Sequence, residues 1–279
     1  MPKKLVMFVD AWFSDFRLYR HLVQMQMRAQ WQYKVHLAVD IGSAFLFLSL
    51  EFLAVLLYFQ AFPTLAGWHM GEVVLLTSLI SASFGLAELF AGGIDGFAAV
   101  IRAGDFDRLL LRPVGALMQV ISSEFRLRRF GRLSQSLLVF ILAMHFLPGL
   151  HWTVDKVLVL GFGLLSGAVI FTCIFLLGAT MCFWTIETTE LTNLLSDGGR
   201  EMLAYPLSIY EQKLQAFFFF VVPIAFASFV PACYILSRRL PFGLPGWLAF
   251  SGPLFALVFA LISLLAWRFG VQHYQSTGS

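Results

Sequence analysis

The chain has 279 residues, of which 59% are hydrophobic and 13% charged, and its mean hydropathy is +0.81. Soluble domains carry about 25% charged residues, so the composition excludes an ordinary soluble fold and points to a polytopic membrane protein. The net charge of +3, with basic residues gathered in loops, argues for membrane topology rather than nucleic-acid binding.

Residues 1–4 are basic, but the apolar stretch 5–9 is too short for the core of a cleavable signal and stops at Asp10, so none is expected. Across 10–34, Trp12, Phe16, Tyr19 and Val23 recur at the spacing of one helical face, while Asp15, Arg20, His21, Gln24 and Arg28 interrupt the others. The pattern predicts an amphipathic helix at the cytoplasmic membrane surface, with Lys34 leading into the bilayer. A solvated helix packed on a soluble partner is the plainer alternative. Spans are predicted at 37–59 and 72–94, each near the ~20 residues that cross ~30 Å of hydrocarbon. The connection 63–69 contains no Lys or Arg, which suits the outer side.

A long polar island, 95–132, follows, carrying Arg102, Arg108, Arg112, Arg126, Arg128, Arg129 and Arg132. Arginines resist translocation, so the island belongs on the cytoplasmic side. Within it, 101–111 has helical spacing; Gly104 gives a local break, and Arg112 with Pro113 ends or bends the helix. Mixed apolar and charged residues suit a docking helix that buries one face on a cytoplasmic partner. A solvated linker helix is the bland alternative.

Spans three and four are predicted at 133–149 and 156–182, with His151, Trp152 and Lys156 in the outer turn. In the last third, hydropathy selects 216–236 and 246–268. Trp247 and Trp267 are twenty residues apart, a spacing of about 30 Å along a helix that predicts an aromatic at each interface. The stretch 183–213 is too polar for an ordinary span and too apolar for a free loop. It sets Glu187, Glu190, Asp197, Arg200 and Glu201 among Trp184, Leu191, Leu194 and Leu195. An even number of spans puts both termini on one side. Lys3, Lys4, Arg17, Arg20, Arg28, Lys34, the island arginines and Arg268 then lie inside, against Lys156, Arg238 and Arg239 outside.

No GxxxxGK[ST] phosphate loop and no HExxH occur, and His21, His36, His69, His145, His151 and His273 lack metal spacing. Cys173, Cys182 and Cys233 sit in apolar surroundings without CxxC spacing, the pattern of buried free thiols. Within the apolar run 161–167, Gly163 and Gly167 form a small-xxx-small face for helix packing, as do Gly92 with Gly96 and Ser81 with Gly85. Packing inside one subunit is favoured over a dimer seam. Asp40, Glu51 and Glu88 fall within predicted spans, where a carboxylate costs about 2.5–3.5 kcal/mol on insertion scales and needs a cavity or a partner. Asp40, near the boundary, is expected to pair with Lys34 or an island arginine. Glu51 and Glu88, with Glu187 and Glu190, are candidates for lining a polar pathway.

Taken together, these residues resemble a known family. The island IRAGDFDRLLLRPV, the later FWTIETTELTNLL (183–195), YPLSIY (205–210) and VVPIAFASFVPACYIL (221–236) are similar to permease subunits of bacterial type-2 ABC exporters. The likeness is to the branch whose permeases are often encoded in pairs beside one ATPase. It runs in order over nearly the whole chain, and G-x-F-D…L-x-R-P is a fairly specific element. The ending WRFGVQHYQSTGS is similar to the branch's aromatic-Gly stretch and Tyr-x-Ser-x-Gly tail.

The resemblance implies an all-α polytopic fold: an N-terminal amphipathic helix, six transmembrane helices and a cytoplasmic coupling helix between the second and third. It implies two permease subunits, identical or paralogous, in the bacterial inner membrane with both termini cytoplasmic. Each is served by a cytoplasmic ATPase that binds the ATP, so the chain is not itself an enzyme and holds no cofactor. The role of coupling helix, seated in a groove of the ATPase, passes by resemblance to Gly104, Asp105, Phe106, Asp107, Leu110, Arg112 and Pro113. The fifth helix becomes 187–210, and 214–236 becomes a hairpin re-entering from outside before the sixth helix. Pro223 and Pro231 suit such a hairpin, since each removes a backbone donor. Members export drugs, lipids, glycans or peptides, and no residue here selects among them. An ATPase-independent secondary transporter is the rival reading. It requires ion-coupling residues and usually an internal repeat, and neither is evident. A membrane-embedded enzyme requires a nucleophile–base pair or metal cluster at span depth, which the scattered His and Cys do not provide.

Overall fold

A computed structural model describes residues 19–112, 114–185 and 189–274. Among them the regular structure is helical, with one isolated bridge between Leu65 and Trp68. That is what apolar runs require where no water can satisfy the backbone. Helix α1 (19–32) meets α2 (Lys34–Ala61) at a turn on Tyr33. Then come α3 (Met70–Asp95), α4 (Phe97–Arg102), α5 (Phe106–Leu110) and α6 (Ala116–Ser122). The long helices α7 (Phe130–Phe146) and α8 (Val154–Met181) follow, then α9 (Thr189–Leu203), the short α10 (Gln212–Ala216) and α11 (Phe229–Ile235), and last α12 (Gly252–His273). Three helical stretches among the described residues, Met70–Arg102, Val154–Met181 and Gly246–His273, are long and apolar enough to cross a membrane.

The centre of the bundle is α3, packed on α7 and α8, with α2 outside α7 and α12 outside α8. Burial follows that order. From Val73 to Ile80 every large apolar side chain of α3 is buried. Leu254, Leu257, Leu261 and Leu265 instead line one outward stripe of α12, and Leu46 and Leu50 of α2 with Leu137 and Ile141 of α7 are equally exposed. Apolar stripes of this kind are suited to lipid rather than water.

At one end of the bundle Glu72 caps α3, accepting a hydrogen bond from the His69 backbone N–H at 2.7 Å. At the other end α3 kinks at Ala91, and the polar island begins. The local break expected at Gly104 within 101–111 separates α4 from α5, and the φ of Gly104 is +70°. A Cβ disfavours that conformation. Helix α6 follows from no apolar period in the sequence. It crosses α3 so closely that a Cβ on Gly93 would stand 2.1 Å from the Val120 carbonyl oxygen.

The stretch 214–236 is not one continuous helix. It is interrupted at Val222 and Pro223, passes through a 3-10 turn (Ile224–Ala227), and resumes at α11. Its path follows from its contacts. The Ala204 carbonyl accepts a hydrogen bond from Thr77 Oγ1 at 3.1 Å, about two turns into α3. Ala227 then lies against Gly167, about 20 Å along α8 at 1.5 Å per residue. Arg238 is back at Glu72, in the first turn of α3. The chain thus enters the bundle to half its depth and returns.

The small faces of α8 serve this entry. A Cβ on Gly163 would lie 2.7 Å from Pro231, and one on Gly167 2.5 Å from Ala227 and 2.6 Å from Ser83. Those contacts lie inside one subunit. Gly167→Leu is therefore expected to lower stability by about 1–3 kcal/mol through overpacking. Gly161→Leu, with nothing within 4 Å of its Cβ position, is expected to leave it unchanged. Thermal melts of the two variants in one detergent check the contrast.

One expectation fails here. Trp267 is only 4% exposed, so it packs inside the protein and does not face outward as an anchor would, whereas Trp247 at the far end is 67% exposed. Trp267 is held inside by rings from three other segments.

Candidate functional site

The island forms a root and a tip. At the tip, Leu111 is 87% exposed and Leu110 45%, with Arg108 and Arg112 exposed beside them. Asp105 is also exposed and pairs with Arg108 at 3.1 Å, while Gly104 and Asp107 are half-buried. The tip is held from beneath by Gln119. Its buried amide donates to the Leu109 carbonyl at 3.0 Å and to the Val114 carbonyl at 2.9 Å. Pro113 lies outside the described residues.

The root is Phe106, which is wholly buried. Its ring meets Phe97 at 5.3 Å between centroids, Phe183 at 5.3 Å, Trp267 at 6.4 Å and Tyr274 at 5.0 Å. Phe97, Phe183 and Trp267 also touch one another, at 5.1–5.5 Å. Phe97 comes from the neighbouring α4, Phe183 from just beyond α8, and Trp267 and Tyr274 from α12 and its end, so two distant parts of the chain converge on one island residue. Gly270 leaves room for this, since a Cβ there would stand 2.6 Å from the Phe183 ring. The Tyr274 hydroxyl faces Asp107, and burial together with that carboxylate raises its pKa above the ordinary tyrosine value.

Beside the root lies a charged cavity of about 700 Å³, lined by Asp40, Glu88, Asp95, Asp197 and Arg129, Arg132 and Arg200 among others. Glu88 pairs with Arg132 at 3.2 Å, and Arg129 donates to the Glu88 carbonyl at 2.7 Å. Gly92 admits that arginine, because a Cβ there would coincide with its guanidinium. Burial lowers the Arg129 pKa from its ordinary value, opposed by the Glu88 and Glu124 carboxylates. The guanidiniums of Arg132 and Arg200 stand 4.6 and 5.7 Å from the centre of the buried Phe84 ring. Cations over an aromatic face gain electrostatically where water is excluded.

The other sequence candidates separate. Glu88 lines the cavity and is paired with an island arginine. Asp40 also lines it, but among the described residues its carboxylate lies against the His36 ring, at 3.6 Å, rather than pairing with Lys34 or an island arginine. Glu190 is exposed on α9 and does not line the cavity. Glu51 falls in α2 with its side chain outside the described set, and Glu187 is outside it altogether.

Two features had no sequence signal. Gln26 and Gln30 of α1 bind the island backbone. Gln26 Nε2 donates to the Ser122 carbonyl at 3.0 Å and its Oε1 accepts from the Phe125 N–H; Gln30 Oε1 accepts from the Leu127 N–H at 2.8 Å. Single amides carry no periodicity, so a pattern search passes over them.

At the opposite end, Arg238 grips Glu72 with two hydrogen bonds, 2.7 and 2.6 Å. It donates to the Gly67 carbonyl at 2.8 Å and stands 4.5 Å over the Trp68 ring. Charge counting places Arg238 on a side of the membrane but gives it no partner.

The family model described as "ABC-2 family transporter protein" matches residues 45–278. No curated protein and no solved structure matched the chain.

Proposed function

The chain belongs to the ABC-2 transporter family, which makes it a membrane permease of an ABC transporter, and from this premise we propose that it is one of two permease subunits of an ATP-driven exporter. Both termini face the cytoplasm of a bacterial inner membrane. Helices α2, α3, α7, α8, α9 and α12 are the six crossings, and 214–236 re-enters from the outer face. The short α9 crosses together with the irregular segment after it.

The observation that carries the reading is the island's division into an exposed tip and a buried root. An apolar–basic knob of Leu110, Leu111 and Arg112, presented on a braced turn, is suited to a groove with an apolar floor and an acidic rim. That is the surface to expect on the partner ATPase. Phe106 belongs to the root, so its part in coupling is to fix the tip to the bundle rather than to touch the partner. The charged cavity lies at the same end and forms the cytoplasmic mouth of the pathway, with Glu88 on its wall.

ATP binding closes the two ATPases, their grooves displace the tips, and the space between the permease copies changes from inward- to outward-facing. The test is co-expression with a Walker-motif ATPase encoded beside it. The ATPase is expected to co-purify in equal amount with the permease and to hydrolyse ATP faster in the complex than alone. A permease that purifies without any ATPase would refute the reading.

A further inference from the structure

We propose that the ring cluster of Phe97, Phe106, Phe183, Trp267 and Tyr274 is the joint that passes a displacement of the 104–112 segment to α8 and α12 at once, with Trp267 and Tyr274 as its positioning residues. The inference rests on reading that segment as the ATPase contact, and it names the route by which the contact acts on the bundle.

Covalently, the tip is tied to α3 only through α4 and the turn at Gly104, whose φ of +70° joins two short helices. A push on α5 along that path alone would be absorbed in the turn. Phe106 removes the slack. It is the one residue of α5 that is buried, and it contacts all four other rings. Phe97, Phe106, Phe183 and Trp267 form a closed set in which each ring touches the other three, at 5.1–6.4 Å. Close-packed interiors have low compressibility and transmit strain, and no ring in such a set moves without its neighbours.

From there the path is continuous. Phe183 lies two residues beyond the end of α8, and Trp267 lies in α12, which packs along α8. Further along α8, Gly167 and Gly163 hold Ala227 and Pro231 of the entering segment. That segment leads to Arg238 and Glu72 at the opposite end. The two ends are thereby linked through packed side chains and not only through α3. A demonstrated response at one end to an event at the other is the physical warrant such a route needs.

The test uses the full complex of permease and ATPase in nanodiscs, with an environment-sensitive bimane on Trp247→Cys, an exposed position at the far end. The three native cysteines are buried and stay in place. With all five rings present, ATP plus vanadate is expected to shift the bimane emission. Trp267→Ala and Tyr274→Ala are each expected to retain the bound ATPase and its hydrolysis while the emission shift falls to background, and Trp267→Phe is expected to restore it. Tyr274→Phe separates the ring from the hydroxyl facing Asp107 and is expected to keep the shift.

Tyr274 terminates α12, so its variants remain informative if Trp267→Ala fails to fold. A full shift in Tyr274→Ala, or no shift with every ring intact and ATPase bound, would overturn the joint. Absence of the ATPase from the unaltered complex would instead overturn the docking assignment beneath it.

Discussion

A permease carrying Leu111→Asp and Arg112→Glu is expected to insert normally and to lose its ATPase. Leu111 is 87% exposed and Arg112 is exposed beside it, so neither substitution removes a contact within the subunit. The double change places negative charge where the proposed groove is acidic, and removes the apolar side chain that would fill its floor. Disrupting a desolvated charge contact costs about 2–5 kcal/mol. At 1.4 kcal/mol per tenfold, that is a weakening between about 30-fold and about 4000-fold. Arg102→Glu is the control, since Arg102 is an exposed arginine of α4, outside the 104–112 segment, whose side chain donates to its own helix at the Ala98 carbonyl. Interferometry of purified ATPase on nanodisc-embedded permease reads both. Unchanged affinity of the double variant would show that the tip is not the docking surface.

The second large effect belongs to the opposite end. Truncating Arg238 to Ala is expected to destabilise the chain more than any other single change there. Its guanidinium holds both carboxylate oxygens of Glu72 and the Gly67 carbonyl and covers Trp68. It thereby fastens the returning limb to the start of α3. Glu72 is buried with an 11% exposed side chain, and Arg238 retains 29%. Removing one partner of a buried pair leaves the other charge without its counter-ion and costs about 3–5 kcal/mol. At the ~2–4 °C per kcal/mol of mid-sized proteins, the melting midpoint should fall by roughly 6–20 °C.

The sign of the cycle is informative. Glu72→Met with Arg238→Met is expected to melt above either single variant, because neither charge is then stranded. Additive losses would mean that each residue acts through separate contacts, Glu72 through its cap and Arg238 through Trp68.

Much of the architecture was legible because lipid imposes it. The apolar runs behind α2, α3, α8 and α12 carry their helical state in composition alone, and the arginine-rich island could not lie among them. Gly104 announced a break and delivered one. Legibility faded where a residue's role depends on a partner far along the chain. Phe106 and Trp267 looked like a docking residue and an interfacial anchor. Both are buried, and rings separated by about 160 positions in sequence decide that. The run 216–236 reads as a span by hydropathy, yet it is broken at Val222 and Pro223 and packs Ala227 and Pro231 into the space that Gly167 and Gly163 of α8 leave.

Composition, period and charge asymmetry therefore determined by themselves that this is a helical membrane protein with a basic, polar segment held out of the lipid, because transfer free energy acts on each residue locally. Tertiary structure alone decided which island residues face outward, which carboxylate meets which arginine, and how the two ends are connected. Those outcomes are set by close packing and by ion pairs between segments, and no local pattern encodes them.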